Sequence, residues 1–353
     1  MSYSYTDPTG MTDSQKTEHI KRVITAEGVA LRKRYSILNH QNTIGAFILA
    51  FALLGMGTTA YFYIAHQLSV WLTIPLIAFF ASLTHELEHD LIHWMYFRKK
   101  PWAHHLMMAL VWLARPSTIN PWARRELHFN HHKTSGTESD IEERSLWNGE
   151  RWGIRRLLAT GDNGLAVFFR VLAFDDAETR KRIIKRSLAA YFPLGLIHWS
   201  LWYVFLGLHA LNAISSFVDA PIVWSATTLQ FMHIVNILTA VWIAPNVLRT
   251  FCLHFVTSNM HYYGDVELGN VIQQTQVLTP WWMMPFQLFC FNFGSTHAIH
   301  HFVVKEPFYL RQMTVPVAHK VMRDMGVRFN DVGSFKRANR WNDLKISQQV
   351  QQQ

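Results

Sequence analysis

Two long stretches of the chain, residues 35–97 and 187–248, contain no Lys or Arg and are dominated by apolar side chains. The apolar core of a bilayer is about 30 Å thick and takes roughly 20 helical residues to cross, so each stretch holds two crossings. The pattern predicts a first hairpin over residues 43–93. Its first span runs from Thr43 to His66 and its second from Val70 into a polar sequence, HELEHD, at residues 85–90. A second hairpin is predicted over residues 187–248, with spans of about 187–208 and 222–248. Residues 102–113 and 281–293 are apolar but too short to cross, and are expected to be re-entrant or interfacial. Ile20, Val23, Ile24 and Leu31 alternate with Lys21, Arg22, Arg32, Lys33 and Arg34 at near-helical spacing, which predicts a basic amphipathic helix along the membrane surface. A further amphipathic helix is predicted over residues 153–174. The expected fold is all-α and integral to the membrane, with four spans in two hairpins and no internal repeat beyond them.

Composition changes this picture little, but the placement of charge orients it. The chain carries 33 Lys and Arg against 24 Asp and Glu, a formal net charge of +9. The excess flanks the spans on one side, while the short connections within the hairpins carry no basic residue. This positive-inside bias predicts that both termini, residues 94–186 and residues 249–353 are cytoplasmic. It also explains the net charge without a nucleic-acid partner. A single domain over residues 1–353 is expected, beginning with a polar tail and the amphipathic helix in residues 1–40. The first residues lack the apolar core of a cleavable signal peptide, and the Gln-rich C-terminal end is expected to fray. Cys252 and Cys290 lack CxxC spacing, so neither a disulfide framework nor a four-cysteine iron site is encoded.

The candidate chemistry lies in the histidines. HFNHH supplies His128, His131 and His132; THAIHH supplies His297, His300 and His301; HELEHDLIH supplies His85, His89 and His93 at i, i+4 and i+8 on one helix face. With 20 His in 353 residues, one HxxHH arises by chance in roughly one such chain in fifteen, and this chain has two. Neutral imidazoles at these spacings can converge on a metal. The clusters follow spans that exit on one side, so they can meet at one membrane face. They hold too many rings for one ion and enough for two. An alternative is a membrane zinc protease, because HELEH also reads as HExxH with Glu86 as general base; it leaves both HxxHH clusters without a role. A haem-carrying subunit or a metal transporter needs its histidines inside the spans. His198, His209 and His233 are placed there, but are expected to be hydrogen-bonded structural groups. His104 and His105 are expected at the surface or behind the ligands.

Three histidine clusters beside two membrane hairpins resemble the integral-membrane fatty acid desaturase superfamily, which also contains alkane hydroxylases and terminal-alkene-forming fatty acid decarboxylases. The resemblance covers roughly Leu83 to Val304 and is specific at the boxes HELEH, HFNHH and HAIHH. It implies that His85, His89, His128, His131, His132, His297, His300 and His301 are metal ligands. SNMHYYGD resembles a segment that supplies one more, which makes His261 the ninth and places Asn259 behind the ligands. TESD resembles an acidic continuation in which Asp140 orients a box histidine, and Glu86 is placed in the same outer layer. HDLIH also resembles a box, so His93 is a further candidate. The resemblance implies two non-haem iron ions that use dioxygen to oxidise a C–H bond of a fatty acid or fatty acyl chain, by desaturation or by decarboxylation to a terminal alkene, with hydroxylation as the alternative. No haem domain is fused to either end, so electrons are expected from a separate carrier such as ferredoxin and its reductase. The expected location is a bacterial inner membrane. A free-acid substrate needs a cation, for which Arg115, Arg124, Arg125, Lys133 and Arg249 are candidates.

Overall fold

The computed structural model describes residues 10–147 and 150–342. The first nine residues and the Gln-rich end lie outside them. In chain order the helices are α1 (Asp13–Arg34), α2 (Gln41–Ile64), α3 (Val70–Ile92), α4 (Pro101–Leu113), α5 (Pro121–Thr134), α6 (Ile141–Trp147), α7 (Ile154–Gly161) and α8 (Asn163–Leu172). They continue with α9 (Ala177–Tyr191), α10 (Leu194–Phe217), α11 (Ala226–Leu238), α12 (Ala244–Thr257), α13 (Val271–Gln274), α14 (Met284–Phe289), α15 (Phe293–Phe302) and α16 (Phe308–Asp324). Two short strands, β1 (Gln276–Val277) and β2 (Arg328–Phe329), pair in parallel.

Among the described residues, four helices are long and apolar enough to cross a membrane: α2, α3, α10 and the continuous run 226–257 formed by α11, a π-helical turn over Thr239–Ile243 and α12. The first hairpin is packed tightly because α2 presents glycines to α3: Phe80 lies against Gly55, and the neighbouring Tyr96 against Gly45, leaving no room for a Cβ at either position. Small residues allow such close approach where lipid offers no hydrophobic drive. The second hairpin starts later than the hydropathy predicts. Residues 187–191 extend the basic α9, which ends before Pro193, because the residue preceding a proline is driven out of helical geometry. The fourth span runs on to Thr257, nine residues past the expected end. At 1.5 Å per residue its 32 residues reach about 48 Å, well beyond the bilayer core. Its last part is therefore covered by protein, and Arg249, Cys252, Leu253 and Val256 are buried.

The amphipathic segments also depart from expectation. Ile20 and Ile24 of α1 are fully buried against Phe302, Val321 and Met322, and Arg32 pairs with Glu306 at 2.6 Å. The apolar face of α1 is thus covered by α15 and α16, so protein rather than the membrane surface receives it. The stretch 153–174 is two helices, α7 and α8, split at Asp162, whose carboxylate caps Gly164 and Leu165. Residues 102–113 lie in the single helix α4, whereas 281–293 form a 3₁₀ turn, α14 and the turn into α15. That turn is locked by Gln287, whose amide donates to the Leu278 carbonyl at 2.8 Å and accepts from the Gly294 N–H at 3.0 Å.

Candidate metal centre

Four elements bring the histidines together. α3 carries His85 and His89, with His93 as its C-terminal cap; α5 carries His128, His131 and His132; α15 carries His297, His300 and His301. His261 comes from the turn after α12. That turn is fixed through its backbone groups: the Asn339 side-chain amide donates to the His261 carbonyl at 2.9 Å, His261 bridges to Thr275, and the Gly264 N–H donates to the Gly136 carbonyl at 2.7 Å. Gly136, with φ +85°, follows α5 and meets Val266 at close range, so the second and fourth histidine segments are tied by a residue that cannot carry a side chain.

The ring nitrogens form two adjoining sets. In one, His89, His93, His128 and His300 each place a nitrogen within 4.8 Å of the others. His132 joins it, with Nε2 3.1 Å from Nε2 of both His128 and His300. In the other, His131, His261, His297 and His301 converge within the same limit. His297 Nε2 lies 2.9 Å from His261 Nε2 and 3.2 Å from His301 Nε2. The sets touch through neighbours on α5 and α15, the His132 and His301 rings being 5.0 Å apart.

Tautomer counting tests whether these rings fit a metal. His128 Nδ1 lies 2.9 Å from Glu142 and His131 Nδ1 lies 2.8 Å from Asp140. Each carboxylate accepts a hydrogen bond from Nδ1, which turns Nε2, the nitrogen a metal would take, toward the other imidazoles. His128 Nε2 then faces His93 Nε2 at 3.0 Å as well as His132 Nε2. Both nitrogens of His89 and Nδ1 of His297 and His300 are buried with no hydrogen-bond partner. So many convergent, unmatched nitrogens are costly in a dry interior unless cations bind them. Two ions fit this donor set, and its imidazole character suits iron, zinc or copper. Burial, helped by neighbouring His128 and Arg311, pushes His93 down to about 2; burial likewise lowers His132, His261, His297, His300 and His301. These rings are neutral at physiological pH and keep their lone pairs. His131 differs. Burial lowers it, but the Asp140 hydrogen bond and charge more than offset this, and it rises to about 9.

His85 stands apart. It belongs to neither set of close nitrogens; its Nδ1 is 3.4 Å from Arg115, and its Nε2 is buried without a partner. Glu86 faces Arg311 at 3.5 Å, and Arg311 also holds Asp90 at 3.1 Å. Asn259 does not contact a ring: its side-chain oxygen accepts from Arg156 at 2.9 Å and its amide donates to the Phe255 carbonyl, which shapes the turn leading to His261. His104 is fully buried rather than superficial. It bonds the Tyr96 carbonyl and Arg125 and stacks on Trp94, while His105 accepts from Trp122. His209 bonds Asn236 at 2.9 Å, as a structural histidine should.

Sequence reasoning missed Glu142. It anchors His128 and also accepts from Arg124 at 3.1 Å, and Arg124 in turn reaches Glu88 at 2.8 Å. The i, i+3 pair His128 and His131 on α5 is matched by Asp140 and Glu142 at the start of α6. The signal was present in TESDIEER, but four acids there compete for the role.

No curated protein matches the chain at a significant level. A family comparison does: residues 65–333, which take in α3, the whole second hairpin and every histidine of the two sets, match the fatty acid desaturase family. The chain is thus an integral-membrane protein of the fatty acid desaturase family, an oxidoreductase family of membrane lipid chemistry.

Proposed function

We propose that the chain is a single-domain di-iron oxidase that uses dioxygen to oxidise a C–H bond of a fatty acid or fatty acyl chain. The observation that carries this reading is the convergence of nine imidazoles into two adjoining sets within a desaturase-family chain. His89, His93, His128, His132 and His300 would hold one iron, and His131, His261, His297 and His301 the other. Iron bound there supplies the reduction of dioxygen and the oxidising power for an unactivated C–H bond. The protein's own residues do the rest. Glu142 and Asp140 fix the tautomers of His128 and His131, α3 and α15 enclose the rings, and the packed apolar residues around them keep bulk water from the reacting carbon.

Desaturation consumes dioxygen, two electrons and two protons, and releases two waters as the chain loses two hydrogens. Decarboxylation of a free acid uses the same inputs and releases carbon dioxide and two waters beside a terminal alkene one carbon shorter. Hydroxylation is the alternative fate. The electrons come from a separate carrier such as ferredoxin with its reductase, and the excess of Lys and Arg suits an acidic protein docking on the cytoplasmic side of a bacterial inner membrane. A zinc protease fits less well, because His85 and His89 do not enter a common set and Glu86 is engaged by Arg311.

The test is gas chromatography, headspace included, on cells expressing the chain and fed saturated fatty acids, beside a His131→Ala control. A new alkene, alkenoic acid or hydroxy acid that disappears in the control supports the reading. Equal product in the control, or none from the unaltered chain with a working reductase, overturns it.

A further inference from the structure

The arginines near the metal centre differ in what neutralises them. Arg115 pairs with Glu88, Arg124 with Glu88 and Glu142, and Arg311 with Asp90 and Glu86. Arg125 donates to the carbonyls of Leu91 and Ile92 and stacks over Trp94. Lys133 is exposed. Arg249 is only 1% exposed, yet among the described residues no carboxylate lies within ion-pair distance of it. Its Nε donates to Asn246 at 3.3 Å, and its Nη2 to Thr250 at 2.9 Å and Ser117 at 3.4 Å, all neutral oxygens. Its Nη1 has no partner at all. A guanidinium has five N–H donors, and a buried, uncompensated cation is among the most costly arrangements in a protein.

The surroundings deepen the deficit. Arg115, Arg124 and Arg249 lie within electrostatic reach of one another, and Glu88 and Glu142 are the acids that pair in this group. Glu88 and Glu142 are taken by Arg115 and Arg124, and Glu86 and Asp90 by Arg311, which leaves Arg249 without a carboxylate of its own. Arg249 is also within electrostatic reach of His85, His198 and His254. His198 and His254 each bury an Nδ1 without a partner. Nη1 of Arg249 is thus an unused donor on a buried cation that no anion touches among the described residues.

We propose that Arg249, with Ser117 and Thr250, binds the carboxylate of a free long-chain fatty acid. The inference deepens the reading of the chain as a fatty-chain oxidase and rests on it. An esterified or thioester carbonyl carries no charge and cannot supply the missing anion, so the site selects the free acid. It also places the head of the chain near the metal centre. Arg249 is within electrostatic reach of His85, which is one helical turn from His89, and the Phe293 ring, 5.7 Å from that of His85, stacks on His297 at 4.3 Å between centroids. The carbons presented for oxidation are therefore those close to the carboxylate rather than those at mid-chain.

The test is equilibrium binding of labelled dodecanoate to the full metal-loaded chain in nanodiscs of zwitterionic lipid, beside dodecanol and methyl dodecanoate. A charge-assisted pair in a dry site predicts that dodecanoate binds at least about 10-fold tighter than either neutral analogue. Arg249→Gln should abolish that preference, and Arg249→Lys should retain part of it. Metal content of each variant reports whether the fold survives; if Arg249→Gln loses metal, Ser117→Ala and Thr250→Val, which keep the cation, should weaken dodecanoate about 3-fold or more without weakening dodecanol. An Arg249→Gln chain with full metal and an unchanged preference overturns the proposal. So does displacement of dodecanoate by phosphatidylglycerol added to the discs, which would make the anion a lipid headgroup. Binding is read without turnover, so a retained preference in a chain that oxidises nothing would sink the oxidase reading and leave the carboxylate site standing.

Discussion

The two histidine sets share α5 and α15, the first adding α3 and the second the turn after α12, and they are supported differently. The set around His128 rests on Glu142, whose charge is shared with Arg124 and, through it, with Glu88. Burial leads there, and His128 is lowered despite Glu142. The set around His131 rests on Asp140, whose carboxylate is buried with no Lys or Arg at ion-pair distance among the described residues; burial lowers His131, but the Asp140 hydrogen bond and charge, with the charges of Glu142 and Glu143, raise it to about 9. One support belongs to an ionic network spanning α3, α5 and α6; the other is a private pair. The difference teaches that a carboxylate orients a ring equally well in either setting, but controls its charge only where no competing cation takes the field.

That contrast can be broken most severely at the rings. His131→Ala and His128→Ala should each reduce product formation to background and lower bound iron from about two to about one per chain, while membrane insertion, checked by carbonate extraction, is unchanged. Iron content equal to that of the unaltered chain in both variants would dissolve the two-set description. The supports come next. Asp140→Asn should cost about 10- to 100-fold in activity, the range for groups that orient a ligand. Glu142→Gln should fall at the lower end, because its amide can still accept from His128 and Arg124 keeps Glu88. The reverse order, read from initial rates in matched membranes, would show that the ionic network matters more than the private pair.

Smaller effects sharpen the membership of the first set. His93→Ala should lower bound iron more than His85→Ala, since His93 lies among the close nitrogens and His85 does not; the opposite order by metal analysis would return His85 to the set. Glu86→Gln should leave iron binding intact and cost about 1–3 kcal/mol of stability, because Arg311 retains Asp90. Loss of all activity with iron retained would make Glu86 a participant in the chemistry.

Much of this site could be read from residue spacing. Both HxxHH clusters announce themselves, and their partners at i and i+3 do face one set each: His128 and His131 point into different sets although they share a helix, as do His297 and His300. The choice between His85 and His93 was not legible. The three α3 histidines share a face, and which of them meets α5 depends on α3 ending at Ile92 so that His93 leaves the helix as its cap. Glu142 was hidden among equivalent acids, and Asn259 acts on the backbone of a turn rather than on a ring. Hydropathy located the four spans but not their ends. Pro193 moved one, and the protein-covered half of α12 moved another, because burial against neighbours tolerates polar residues that lipid does not. The pairing of β1 with β2 joins segments some fifty residues apart and leaves no local pattern.

The central claim is that nine histidines hold two iron ions side by side. Mössbauer spectroscopy on the iron-57-enriched, active chain in isolated membranes tests it most directly. The account predicts about two iron atoms per chain, in one magnetically coupled pair with nitrogen-rich coordination, lost together with activity in the His131→Ala variant. An active chain with a single uncoupled iron, or with zinc and no iron, would contradict it.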